Sequence, residues 1–307
     1  MKNLHLVLPV GTQVVTRRAV ATGAGALLCP AGAVGEVVAA PVDYAHAYRV
    51  RLPDGTVASL RRDELSIRKH AQAGPMGDAD EVLRDHDLHA HVVYRCVVGS
   101  RAYGLEHAGS DTDLRGVYLP PAELHWSLYG VPEQLEDSAA QASYWELQKF
   151  LGLALKANPG ILECLYTPLV LHAAPVVREL LQERHRVLSR MVYQTFNGYV
   201  LSQFKRLEAD VRTTGAPRWK HAMHLVRLLV SGITALREGH LPVRVDEHRE
   251  RLRRIRHGDA AWDEVNAWRL ALHREFDAAY AATTLPERPD YAWVNDYLVR
   301  ARRSAVQ

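Results

Sequence analysis

The stretch VVGSRAYGLEHAGSDTDLRGVYL, residues 97–119, decides how the chain is read. It begins at the end of HVVYRCVV (91–98), a nearly continuous apolar run of the kind a buried strand shows. Gly99 and Ser100 end that strand. Eleven residues after Ser100 comes Asp111-Thr112-Asp113, which opens a second strand running into LRGVYL (114–119). Side chains alternate across a strand, so Asp111 and Asp113 are expected on one face and Thr112 on the other. Two carboxylates on one face suit Mg2+, a hard cation that takes oxygen ligands and keeps further positions for water and phosphates; Mn2+ is the alternative ion. Ions held this way activate an attacking oxygen and stabilise a leaving pyrophosphate. A Gly-Ser turn that leaves a strand and opens a helix offers backbone N–H groups and a hydroxyl to triphosphate oxygens. Arg101 is placed to pair with the same phosphates. A lone DxD or a lone Gly-Ser is weak. A strand, Gly-Ser, about ten residues and DxD on a second strand, in that order, is much more specific, and it points to a nucleotidyl-transfer core.

Outward from this segment the chain divides into three expected parts. Residues 1–73 read as short Val-rich or alternating strands (GTQVVTR, GEVVAA, AYRVRL, TVASLRR) with a turn at Pro53-Asp54-Gly55, and suggest a small SH3-like β-barrel. AQAGPMGDAD (71–80) is a linker. Residues 80–175 form the α+β core, a mixed sheet with flanking helices. Helical spacing dominates from 143 onward, and 176–307 reads as a basic helical domain closing over the cleft. Over 177–307 there are 23 Lys and Arg against 16 Asp and Glu, whereas the first 176 residues carry 15 against 19. A basic rear half beside an acidic front is mild support for a phosphate-bearing partner.

Composition excludes several classes. The 307 residues are 48% hydrophobic and 24% charged, which is globular rather than disordered. No apolar run reaches membrane-spanning length, so no membrane partner is expected. Three distant cysteines (Cys29, Cys96, Cys164) exclude a disulfide scaffold and fit a cytoplasmic location. Arg17-Arg18 followed by AVATGAGALLCP mimics an export signal, but the apolar stretch is short, rich in Gly and Ala, and preceded by a strand-like segment. His221-Ala222-Met223-His224 has HxxH spacing with no nearby acid to complete a zinc site.

The segment GSRAYGLEHAGSDTDLRG (99–116), followed by YWELQKFLGLALKANPGILECLY (144–166), resembles the DNA polymerase beta superfamily of nucleotidyltransferases, whose hallmark is hG[GS] followed by DxD. Within it the chain is similar to the predicted nucleotidyltransferases of the RlaP/YcgL type, a branch linked to RNA repair. The likeness runs over about 90–305, through WKHAMHLVRLLVSGITALREGHLPV (219–243) and TTLPERPD (283–290), and leaves out the N-terminal part. It implies that Gly99 and Ser100 hold NTP phosphates, that Asp111 and Asp113 bind metal, and that RNA is the first choice of acceptor.

The resemblance also implies a third carboxylate acting as base, and here the sequence departs. The matching position falls near Gln141, within AAQAS, which has no acid. Asp137 serves if the strand slips, with Glu136 beside it; Glu146 serves from the first turn of the next helix; otherwise no third acid exists. Lys149 and Lys156 share a helix face and reach either phosphates or solvent. Lys220, His224 and Arg227 fall at i, i+4 and i+7 and line a phosphate cleft or an ordinary amphipathic face. RERLRRIRHG (249–258) holds RNA backbone or is a solvated helix. The expected reaction transfers a nucleoside monophosphate from an NTP to an acceptor hydroxyl. The alternatives are a nucleotide- or RNA-binding module that lost its base, and an antitoxin-like transferase acting on a partner protein.

Overall fold

A computed structural model describes residues 7–21, 27–41, 46–69, 83 and 86–306. It divides into two compact units, Met1–Ala79 and Asp80–Gln307.

In the first unit, β1 (Gln13–Thr16), β4 (Val34–Ala39), β5 (Tyr48–Arg51), β6 (Val57–Leu60) and β7 (Leu65–Ile67) form an antiparallel sheet in the order β6-β5-β4-β1-β7. β2 (Val20–Ala21) and β3 (Leu27–Cys29) pair separately. Period-two alternation buries Tyr48 and Val50 of β5 and leaves Arg49 and Arg51 outside. The Asp54 carboxylate accepts the Thr56 N–H at 2.9 Å and Gly55 takes φ +87°, so the expected turn joins β5 to β6. The expected closed barrel is not observed among the described residues. A short 3-10 turn, Arg62–Glu64, carries the chain from β6 to the opposite edge, where β7 pairs with β1, and β6 and β7 remain two separate edges.

The second unit is built on β8 (Val92–Val98), β9 (Asp113–Tyr118), β10 (Gln134–Asp137), β11 (Ala142–Glu146) and β12 (Val170–Ala173), in the order β10-β11-β9-β8-β12. β11 and β9 run parallel and every other pair is antiparallel, which makes the expected mixed sheet. Gly116 of β9 passes so close to Tyr94 that a Cβ there would lie 1.9 Å from the Tyr94 carbonyl oxygen. Ten α-helices are described: α1 (Gly99–Tyr103), α2 (Ala122–Trp126), α3 (Leu147–Leu155), α4 (Pro159–Tyr166), α5 (Pro175–Gln182), α6 (Met191–Thr214), α7 (Trp219–Glu238), α8 (Arg249–His257), α9 (Trp262–Ala282) and α10 (Tyr291–Ser304).

The large core lies on one face of this sheet. Tyr94, Cys96 and Val117 meet Phe150, Leu151 and Leu162 there, and the same cluster continues through α6, α7, α9 and α10 to Ala301. No break in the core falls at 175, so the core and helical parts expected as separate domains are one packed body. A smaller cluster, with Leu88, Leu135, Tyr118 and Tyr144, covers the opposite face.

Candidate active site

β8 and β9 pair so that Val98 stands opposite Asp113, and the chain leaves β8 directly into α1. Gly99 makes the bend with φ +71°. A Cβ at that position would lie 2.7 Å from Asp113 Oδ2, so the bare glycine is what lets the carboxylate stand against the bend. The expected strand start is corrected by two residues, since β9 begins at Asp113 and not at Asp111. The reason lies in hydrogen bonding. The Ser110 N–H bonds the His107 carbonyl at 2.9 Å, and the Ser110 and Asp111 carbonyls accept from Arg101 Nη2 at 2.9 Å and Nε at 3.3 Å. Arg101 therefore ties the backbone of Asp111 to α1, whose first residues are Gly99 and Ser100. Sheet register sets the Asp113 carboxylate against the bend, whereas Asp111 lies before the strand and is tied to α1 only through its backbone carbonyl, so strand alternation does not put the two acids on one face. Asp111 is exposed and Asp113 half-buried. Neither carboxylate has a hydrogen-bond or ion-pair partner among the described residues.

Asp113, Arg115 and Val117 share the helix-covered face of β9. Across the parallel pair, Ser143 of β11 stands opposite Arg115, and Glu136 of β10 stands opposite Ser143. The buried Ser143 hydroxyl donates to Glu136 Oε2 at 2.8 Å, and the Gln134 amide donates to its other oxygen. Glu136 therefore lies on the Asp113 face, two strands away. Gln141 precedes β11, has φ 51°, and its carbonyl accepts the Leu114 N–H at 3.1 Å.

The two acids expected as third carboxylates are not brought to Asp113. Asp137 pairs with Ala142, which pairs with Leu114, and that row lies on the opposite face. Its carboxylate accepts the Ala139 and Ala140 N–H groups at 3.0 Å and shapes the β10–β11 turn. Glu146 stands opposite Tyr118, at the far end of β9 from Asp113. Five residues of strand put it about 17 Å away along the sheet. There it caps α3, accepting Gln148 and Lys149 N–H groups at 2.8 and 3.2 Å, and pairs with Arg302 at 3.2 Å. Lys149 is at that same end, with Nζ 2.6 Å from Glu133, so it too is remote from the bend.

Lys220, His224 and Arg227 do share one cavity, of about 520 Å³, with Tyr103 of α1 and the start of α4. Arg227 is buried, with Nη2 2.6 Å from Glu163 Oε1 and its guanidinium 3.7 Å above the Tyr103 ring. The Tyr103 hydroxyl donates to Glu163 Oε2 at 2.7 Å, and burial pushes its pKa up, so it stays a donor. Burial, with Arg227, Lys220, His221 and Arg256 nearby, pushes His224 down to about 3, so its imidazole is neutral at pH 7. The basic run 249–258 has a role that sequence reasoning missed. Arg256 Nη1 donates to the Leu105 carbonyl at 2.6 Å and Arg253 Nη2 to the Glu106 carbonyl at 3.4 Å. α8 thereby fastens the segment that follows α1. Its spacing alone gave no sign of this, because the acceptors are carbonyls about 150 residues upstream.

A glycine bend with the Asp113 carboxylate against it, on a mixed sheet backed by helices, fits the polymerase-beta-like class. Residues 78–300, more than half of the chain, match the family model RlaP, described as an RNA repair pathway DNA polymerase beta family. The chain belongs to that family. It is also 33% identical over 108 residues to the uncharacterized protein YcgL of Bacillus subtilis (strain 168), a match covering 34% of this chain and 42% of that one. The aligned part is thus less than half the length of that relative. No helix among the described residues is long and apolar enough to cross a membrane.

Proposed function

We propose that the protein transfers a nucleoside monophosphate from an NTP to an acceptor hydroxyl, with RNA as the acceptor. The observation that carries this reading is the Asp113 carboxylate standing without a partner against the Gly99 bend. Asp111 and Asp113 offer the hard oxygen donors that Mg2+, or Mn2+ in its place, requires. When bound, the ion neutralises charge on the triphosphate and on the leaving pyrophosphate. Gly99 and Ser100 present backbone N–H groups and a hydroxyl to the phosphates, and Arg101 ties the Asp111 backbone to α1. The acceptor oxygen bonds the α-phosphorus, the α–β bridging bond breaks, and pyrophosphate leaves. The acceptor proton passes to Glu136, the carboxylate that register and Ser143 keep on the Asp113 face. Most of the rate is positioning and electrostatics. The RNA assignment rests on family membership and on the basic rear half of the chain.

Incubation with Mg2+, labelled NTPs and RNA oligonucleotides tests this. Pyrophosphate release with label on RNA, lost in Asp111→Asn/Asp113→Asn, is the expected result. Label on a co-purified protein would move the acceptor to a polypeptide side chain. A second reading, nucleotide binding without transfer, is favoured by Gln141, an amide where a neighbouring strand approaches the start of β9. Tight NTP binding with no pyrophosphate would support it.

A further inference from the structure

The cavity beneath α1 collects groups that favour an anion, and the chemistry at the bend does not use them. Arg227 is 4% exposed. Its Nη2 bonds Glu163, but its Nε and Nη1, both buried, have no hydrogen-bond partner among the described residues. Glu163 meets the guanidinium through Nη2 alone, its other oxygen accepting from the Tyr103 hydroxyl. The start of α4 lines the same cavity. Asn158 Oδ1 takes the Ile161 N–H at 3.2 Å and Pro159 has none, so the Gly160 N–H is left at the positive end of the helix with no intrahelical acceptor. The first turn of α7 supplies Lys220 and contains no acid. A lysine at a helix N-terminus is unfavourable for the helix alone and favourable once an anion lies between them. Glu163, already neutralised by Arg227, is the one acid lining the cavity among the described residues. Tyr199, Leu225 and Leu228 complete the wall with aromatic and apolar surface, and about 520 Å³ is more than an inorganic anion fills.

We infer that this cavity binds a nucleotide-sized phosphate monoester without a metal ion, at a site separate from Asp111 and Asp113. The phosphate meets Lys220 and the Gly160 N–H beside the buried, unpaired edge of Arg227, and the nucleoside lies against Tyr199 and the leucines. The ligand is a free nucleoside monophosphate or the phosphorylated terminal nucleotide of a strand. The site uses the same substrate chemistry as the proposed transfer but not its metal pair, so either can fail without the other.

The test is calorimetric titration of the full chain in EDTA with AMP, adenosine, and a short RNA with and without a terminal phosphate. AMP or the phosphorylated RNA is expected to bind at least tenfold more tightly than its unphosphorylated counterpart. Phosphorylated RNA binding above AMP assigns the strand end, and AMP above RNA assigns the free nucleotide. Lys220→Glu, an exposed position, is expected to weaken binding at least tenfold at unchanged melting temperature, which avoids the folding risk of changing Arg227. Asp111→Asn/Asp113→Asn is expected to leave it unchanged. Equal binding with and without the phosphate, an absolute need for Mg2+, or loss of binding in the aspartate variant would overturn the inference. AMP binding in a protein that transfers nothing would sink the proposed reaction and leave this site standing.

Discussion

The Gly99 bend and the core beneath α1 treat carboxylates in opposite ways. Glu163 is enclosed, with Tyr103 and Arg227 each holding one oxygen. Asp111 and Asp113 stand at the surface end of the sheet with no partner of either kind among the described residues. Glu146 and Asp137 belong with Glu163 in this respect, since one caps α3 and the other shapes a turn. An acid held by a cation or by backbone N–H groups contributes to stability, whereas an acid with no partner is available to an ion; Glu136, whose partners are the neutral side chains of Ser143 and Gln134, is oriented without being neutralised. Stability and activity should therefore respond to opposite sets of substitutions.

The largest effect on folding is expected at Glu163→Ala. It leaves Arg227 charged and buried without a counter-charge, a change worth about 3–5 kcal/mol in urea denaturation. Asp111→Asn/Asp113→Asn should stay within about 0.5 kcal/mol of the parent in the same measurement. A comparable loss in both would erase the contrast. Next in size is Glu136→Gln, expected to lower kcat by about 100-fold or more with stability little changed, and to remove the acidic limb of the pH–rate profile. Ser143→Ala, which frees the carboxylate without removing it, should cost less.

These two carboxylate roles were not equally legible. Residues 97–119 announced the bend and the two acids, because apolar run, glycine and acid spacing are all local. Which further acid belongs to the site was not local. Glu146 is taken by Arg302, 156 residues later, and the choice between Glu136 and Asp137 depends on a register that one residue of slip reverses. The start of β9 falls later than alternation predicts for the same reason, since Arg101 takes the Asp111 carbonyl. Helical periodicity marks 176–307 as helical but does not say what those helices pack against, which is the core of the sheet. In the first unit the short strands and the Asp54 turn were readable; whether the sheet closes depends on pairing between distant edges.

His224 extends the contrast to pH. It is neutral in the folded cavity with a pKa near 3 and ordinary, about 6.5, in the unfolded chain. Between those values the unfolded state binds the extra proton, so stability should fall as pH drops from about 6.5 toward 3. His224→Gln should flatten that part of the curve, whereas the parent and Asp113→Asn should share it. Gly99→Ala is smaller in stability, about 1 kcal/mol for the positive φ, but it pushes on Asp113 and should lower activity more than folding. Smallest is Lys149→Ala. Its ion pair with Glu133 is exposed and worth about 0.2–1 kcal/mol, and transfer should be unaffected.

The central claim is that the two free aspartates hold an ion against the Gly99 bend. The most direct measurement is a crystal structure with Mn2+ and a non-hydrolysable NTP, with the ion located by anomalous scattering. The expected result is a manganese peak in contact with carboxylate oxygens of both Asp111 and Asp113, with phosphate oxygens against Gly99 and Ser100. A nucleotide bound elsewhere, or a map with no peak between those two carboxylates, would contradict it.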